Sequence, residues 1–292
     1  MSNFLEITDD QRWQLLNNKR FEQRIVAVFD LFRQYGIEPI LIKGWVAARY
    51  YPPELPRIYS DIDLAVESTQ FNIAKSLLSS PPGNSLGIDL HRELRHLDTL
   101  PWRELMLNST SIDIDGVGVR ILSPEDHFRV LCVHWLTDGG EVKERLWDIY
   151  YAVSKRPTAF DWGKCLDVVS ENRRRWVICT IGLAHYYLGL EIDDLPFAEE
   201  ARKLPAWLVR NLENQWASGI RLRGLDTCLR DPKAFLQQLR KRFPPNPITA
   251  TIDMDGSFDS KTRFFYQIGD IFRRSGGSVD RIVRAILRKE NE

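Results

Sequence analysis

Apolar residues recur at helical spacing from Asp9 to Gln34, at Trp13, Leu16, Phe21, Ile25, Val28, Phe29 and Phe32, and Gly36 follows as a helix stop. The period then shortens. Ile37–Ile42 is an unbroken apolar run, the pattern of a short buried strand, and it leads through Lys43-Gly44 into a helix-like stretch, Trp45–Tyr51. Tyr51-Pro52-Pro53-Glu54-Leu55-Pro56 breaks regular structure. A second strand is expected over Asp61–Val66, and Ser68 reads as the N-cap of a helix reaching Leu78. After a Ser79–Asn84 loop, Ile88–Leu94 reads as a third strand. Ser111–Asp115 and Val117–Leu122 flank Gly116 as a hairpin.

The texture changes at Ser123. Ser123-Pro124-Glu125-Asp126 combines a capping serine, a proline at the first helical position and acids in the first turn. From there to about Leu190 nearly everything reads as helix, with Leu146, Ile149, Tyr150 and Val153 on one face. Pro244-Pro245-Asn246-Pro247 marks a break, and Arg263–Phe272 and Val279–Leu287 read as two terminal helices. The expected organisation is an α/β (α+β) domain over residues 1–122 and a helical domain over 123–292, which would form the second wall of a cleft. No internal repeat is visible.

Composition narrows the class. At 43% hydrophobic and 27% charged, the 292 residues suit a globular protein with a sizeable core and not a disordered one. Forty basic residues balance forty acidic ones, so no net field draws the chain to nucleic acid or anionic lipid. Cys132, Cys165, Cys179 and Cys228 lack zinc-ligand spacing and read as reduced core thiols. The longest apolar stretch, Trp176–Leu190, is shorter than the roughly 20 residues needed to cross a bilayer. It reads as a core helix. No membrane partner and a cytoplasmic location are the expectation.

The candidate chemistry lies in the second strand. Residues at i and i+2 of a strand share a face, so Asp61 and Asp63 present two carboxylates together while Ile62 and Leu64 turn to the core. Paired carboxylates repel, and a divalent cation removes that penalty; Mg²⁺, which takes carboxylates, waters and phosphate oxygens, suits the arrangement, with Mn²⁺ as the alternative. A third acid on a neighbouring strand allows two ions. Asp89 is the best candidate, and His91, on the same face, can carry a proton or touch phosphate. Lys43 and Gly44 close the first strand where backbone can approach a phosphate, and Arg57 can clamp one. Asp113 and Asp115 beside Gly116 read as a hairpin turn, and Asp253-x-Asp255-Gly256 reads as a solvated turn without the ligand series of a calcium loop. His134 and His185 read as core residues, Arg145 and Asp148 as a helical pair, and Arg173-Arg174-Arg175 as a solvated turn.

The order of these motifs resembles the polymerase-β-type nucleotidyltransferase superfamily. More narrowly, it resembles an uncharacterised bacterial nucleotidyltransferase family with a Lys-Gly motif, an arginine ahead of Ser-Asp-Ile-Asp-Leu, and an acid-x-His motif. Those positions here are Lys43-Gly44, Arg57, Ser60-Asp61-Ile62-Asp63-Leu64 and Asp89-Leu90-His91, and the likeness covers roughly residues 37–190. The superfamily's usual glycine-serine pair appears here as Lys43-Gly44, and the stretch from Gly44 to Asp61 is long and proline-rich. The resemblance implies the polymerase-β-type fold, with a small mixed sheet followed by an all-helical domain. It implies metal binding by Asp61, Asp63 and Asp89, His91 beside them, and nucleoside triphosphate contacts from Lys43, Gly44, Arg57 and Ser60. The implied reaction moves a nucleoside monophosphate from a triphosphate to an acceptor hydroxyl on a protein, small molecule or peptide in preference to RNA. It also implies, as the alternative to a helical pair, a supporting role for Arg145 and Asp148 at the domain interface. A silent nucleotide- or partner-binding module and a metal-dependent nuclease or phosphohydrolase use the same acids and remain as alternatives.

Overall fold

A computed structural model describes residues 9–222, 226–228 and 231–274 of the chain. The expected Val279–Leu287 helix and the side chain of Trp13 lie outside what is described. The fold is mixed α/β. Two compact units are present: the chain through Val130 together with Lys155–Cys165, and Leu131–Ser154 together with the chain from Leu166 onward. The division falls inside the helix that Ser123-Pro124 opens.

The first unit is built on a five-stranded mixed sheet. Its strands are β1 (Ile40–Ile42), β2 (Ile62–Val66), β3 (Ile88–Arg92), β4 (Thr110–Ile114) and β5 (Val117–Ile121), in the spatial order β3-β2-β1-β5-β4. β2 runs antiparallel to β1 and parallel to β3, while β1 runs parallel to β5. Helix α1 (Asp9–Arg33) lays Phe21, Ile25, Val28, Phe29 and Phe32 on the sheet, against Leu41, Ile62, Leu64 and Val66 in one core. At roughly 1.5–3 kcal/mol per fully buried large apolar side chain, this stripe is what holds β2 in place against α1. Both faces of β2 are covered, so even its polar member, Asp63, is buried.

The structure moves several expected boundaries. The first strand is only Ile40–Ile42, and α2 (Gly44–Ala48) is shorter than Trp45–Tyr51 suggested. Ser68 does not cap the following helix. Its backbone N–H donates to Glu93 Oε1 at 3.2 Å, and α3 (Phe71–Ser79) starts later, behind Gln70. The third strand stops at Arg92 because Glu93 and Arg95 have φ of 50° and 53°, which turn the chain out of the ladder. A helix with no clear sequence signal, α4 (Trp102–Asn108), follows. The hairpin is as expected: Asp115 (φ 54°) and Gly116 (φ 83°) form its two-residue turn, and Asp113 Oδ1 accepts the Gly116 N–H at 3.2 Å.

A buried arginine ties the unit together. Arg129, on α5 (Pro124–Thr137), donates to Asp98 Oδ2 at 2.9 Å and to Asp126 Oδ1. Its Nη1 also donates to the carbonyls of Lys164 (3.0 Å) and Cys165 (3.2 Å), on α7 (Trp162–Leu166). All three charged groups are buried. This explains why Lys155–Cys165 belongs to the first unit although α6 (Leu146–Ser154) belongs to the second.

In the second unit α8 (Glu171–Leu188) is the central helix, capped by Ser170 and ended by Gly189 in the left-handed region. Residues Trp176 to Ala184 are buried, as expected of a core helix, and among the described residues no helix is long and apolar enough to cross a membrane. Gly182 admits close packing: a Cβ there would lie 2.0 Å from the Ala201 carbonyl of α9 (Ala198–Arg202). Arg173, Arg174 and Arg175 are not a solvated turn. They pair with Asp255, Glu200 and Asp259 respectively, bracing α8 within its own unit. The unit is completed by α10 (Ala206–Ser218), α11 (Pro232–Arg242), α12 (Pro247–Asp253) and helical residues 264–274, where Arg263–Phe272 was expected.

Replacing Arg129 with methionine would strand two buried carboxylates, and removing one partner from a buried ion pair costs about 3–5 kcal/mol. Urea unfolding of Arg129→Met is expected to show a loss of that order; a loss under about 1 kcal/mol would mean the triad does not brace the unit.

Candidate metal centre

Strand pairing builds the site. The β2–β3 register sets Asp63 opposite Asp89 and Ala65 opposite His91, so Asp63, Asp89 and His91 project from one face of the sheet. On the other side of β2, Ile42 pairs with Asp63, and Lys43 is the residue that follows. One ligand atom from each of Asp63, Asp89 and His91 lies within 4.8 Å of the others. Lys43, Asp63 and His91 are 7%, 4% and 6% exposed, while the Asp89 side chain is 56% exposed and faces water.

Lys43 holds a place at the centre of this group. Its Nζ donates to Asp63 Oδ1 at 2.6 Å and lies 3.3 Å from His91 Nε2. His91 Nε2 in turn lies 3.2 Å from both Asp63 Oδ1 and Asp89 Oδ2. Lys43 is aimed there by a backbone with φ 54° and ψ −129°, a left-handed conformation that an L-residue keeps only when its surroundings impose it.

The protons in this cluster cannot satisfy every contact. Protonated, Nε2 donates to a carboxylate but meets the Lys43 ammonium donor against donor. Unprotonated, it accepts from Lys43 but turns a lone pair toward two carboxylate oxygens. Nδ1 is buried with no partner among the described residues. A divalent cation resolves the conflict, because it takes the lone pairs of two carboxylates and an imidazole together. The donor set therefore fits a metal. It suits Mn²⁺ as well as Mg²⁺, because imidazole is a better ligand for transition metals than for magnesium.

Burial pushes the Asp63 carboxyl up, but the His91 hydrogen bond and the charge of Lys43 outweigh it and hold the group below its ordinary 3.8. Asp63 is therefore an anion throughout the neutral range.

The other expected residues are placed as follows. Asp61 is exposed just ahead of β2, and the group whose ligand atoms lie within 4.8 Å of one another is Asp63, Asp89 and His91. Ser60 is exposed beside Asp61. Gly44 borders the group, since a Cβ on it would lie 3.4 Å from the Asp61 carbonyl and 3.9 Å from Asp63 Oδ2. Arg57 Nη1 donates to the Gly44 carbonyl at 3.3 Å, fixing the loop before β2 to the Lys-Gly turn. With five residues, α2 is too short for its N-terminus to serve as an anion site. His134 and Arg145 both turn to Asp138, at 3.8 Å and 2.6 Å, in the second unit. His185 Nδ1 donates to the Leu190 carbonyl at 2.7 Å, just past the end of α8.

Sequence reasoning passed over His127. This residue of α5 is 1% exposed, stacks on Tyr50 with ring centroids 6.1 Å apart, and leaves both ring nitrogens without a hydrogen-bond partner among the described residues. Burial, with the charges of Arg57 and Arg49, pushes its pKa down to about 3. Its only sequence signal is its place directly after Asp126, at the helix start.

The second unit carries an open groove of about 930 Å³, lined by Asn211, Asn214, Gln237 and other polar residues. Among its charged lining groups, Asp138 pairs with Arg145 and Glu141 with Lys241, and Asp231, Lys233 and Arg240 also line it.

No protein-family model matches the chain, and no curated protein or solved structure matches it.

His127 gives a pH test. The folded state keeps the imidazole neutral down to about pH 3, whereas the unfolded chain protonates it near 6.5. The unfolded state then binds the extra proton, so stability falls as pH drops from 6.5 toward 3, by up to about 1.4 kcal/mol per pH unit. Thermal or urea unfolding of His127→Phe between pH 4 and 7 is expected to show a flatter dependence than wild type. An unchanged slope would mean that His127 is charged in the folded protein.

Proposed function

We propose that the chain is a divalent-metal-dependent nucleotidyltransferase of the polymerase-β type, moving a nucleoside monophosphate from a triphosphate to an acceptor hydroxyl. The observation that carries this reading is the β2–β3 pairing of Asp63 with Asp89, with His91 Nε2 at 3.2 Å from an oxygen of each. The Lys-Gly turn against the Asp-x-Asp strand and the motif order along the chain support the family assignment.

Asp63, Asp89 and His91 would hold the first ion, and Asp61 is assigned to a second. When bound, the metal supplies Lewis-acid polarisation of the α-phosphate and charge neutralisation of the leaving pyrophosphate. The protein's own groups do the rest. Asp63, anionic and buried, keeps a fixed negative charge at the base of the site. Asp89, open to water, is the carboxylate an acceptor can reach, and it takes the hydroxyl proton as the new oxygen–phosphorus bond forms and the bond to pyrophosphate breaks. Lys43 and Arg57 contact the triphosphate as point charge and fork, respectively. A protein, small-molecule or peptide acceptor in the cytoplasm is favoured over RNA because the chain has no net charge to hold a polyanion.

One observation favours the silent binding module instead: Lys43 already neutralises Asp63 at 2.6 Å. Product analysis separates the readings. With labelled nucleoside triphosphates, Mg²⁺ or Mn²⁺ and cell lysate, transfer releases pyrophosphate and labels an acceptor, a hydrolase releases inorganic phosphate or monophosphate, and a binding module releases nothing. Asp63→Asn and Asp89→Asn are each expected to lower transfer at least about 100-fold, since even the outer partners of metal ligands are worth 10–100-fold. Wild-type transfer in a folded Asp63→Asn variant would rule the mechanism out.

A further inference from the structure

We propose that Lys43 is the resident cation of the metal-free site, so that its ion pair with Asp63 and the binding of a divalent ion there are mutually exclusive. This rests on the metal-centre reading above and adds a competition that determines when the centre loads.

Space and charge both forbid joint occupancy. Lys43 Nζ lies 2.6 Å from Asp63 Oδ1 and 3.3 Å from His91 Nε2, two of the three atoms a metal would use. An ion coordinated by those atoms would stand within about 2.0–2.3 Å of each. An ammonium hydrogen-bonded to the same oxygen and close to the same nitrogen lies on that position or against it. Two cations cannot share so small a buried volume, and the Lys43 side chain, 8% exposed, has no solvent shell to screen it. Lys43 must therefore withdraw when the ion arrives.

Withdrawal leaves a flexible four-carbon chain with a free positive charge beside the centre. A phosphate group gives it a new partner, whereas an empty site does not. Metal alone should then load weakly, and metal with a polyphosphate should load well, because the polyphosphate accepts the charge that the metal displaces. The left-handed backbone at Lys43 and the neighbouring Gly44, whose missing Cβ leaves room beside Asp63, are consistent with a side chain that has two stations.

The test measures binding of Mn²⁺ to the full chain, without nucleotide, by the electron paramagnetic resonance signal of the free ion. A neighbouring unit charge moves a binding equilibrium by about one to three decades. Lys43→Met is therefore expected to bind Mn²⁺ at least about tenfold tighter than wild type, and tripolyphosphate is expected to tighten wild type more than Lys43→Met. Asp63→Asn should lose the site in either background. Equal or weaker binding by folded Lys43→Met, while wild type binds and Asp63→Asn does not, overturns the competition and leaves the metal centre standing. Binding in no variant, or undiminished binding in Asp63→Asn, overturns the metal centre and the competition with it. If Lys43→Met does not fold, the wild-type protein answers by NMR. A protected Lys43 ammonium resonance should be present without metal and lost or shifted on titration with Mg²⁺. A resonance unmoved at saturating Mg²⁺ overturns the proposal.

Discussion

Two carboxylates held abreast on neighbouring parallel strands need a positive charge between them, and this requirement organises the first unit. Asp63 and Asp89 are brought level by the β2–β3 register, which changes only if every residue of β2 changes face. That register is locked by the core. Ile62, Leu64 and Val66 are seated against the α1 stripe, so slipping the strand by one residue would take all three out of that core and turn the carboxylate of Asp63 into it. The acid pair is thus enforced by hydrophobic burial, and its electrostatic cost is offset by Lys43 in the structure as it stands.

The backbone that carries the positive charge is fixed as well. Lys43 lies one residue past Ile42, which pairs with Asp63, and its left-handed backbone turns the side chain back over β2. A backbone in that region costs on the order of 1–3 kcal/mol, comparable with the worth of a strong charge-assisted hydrogen bond. His91 adds a group whose ring nitrogens cannot all find complementary protons. A fully satisfied structural ion pair would not need it. The unresolved hydrogen-bonding of His91, more than the number of acids, separates this cluster from an ordinary buried salt bridge such as Asp98–Arg129–Asp126, where each charged group has complementary partners.

The parts of this arrangement that depend on strand alternation were legible in the sequence. Two-residue periodicity is enough to put Asp63 on the opposite face from Ile62 and Leu64, and Asp89 on the same face as His91. The mixed α/β class, the hairpin at Asp115-Gly116, the core helix around Trp176 and the start at Ser123-Pro124 were equally local, because turn and cap chemistry is written in adjacent residues. What depends on tertiary placement was not legible. Asp61 shares a face with Asp63 by alternation, yet the structure leaves it exposed ahead of the strand, outside the ligand group. Lys43 read as a phosphate contact because nothing in Lys-Gly announces a positive φ at a lysine. Arg129 went unremarked because its partners lie 31 and 3 residues away, and only one of those separations is local. His127 carried no pattern at all, since a buried polar residue is recognised by what surrounds it.

Asp63, Asp89 and His91 are proposed to bind one divalent ion together. Crystals grown with Mn²⁺ and measured at its absorption edge test this directly. An anomalous peak is expected within coordination distance of one oxygen of Asp63, one of Asp89 and Nε2 of His91, with the Lys43 ammonium moved away. Saturating Mn²⁺ with no peak there, and Lys43 still paired to Asp63, would contradict it.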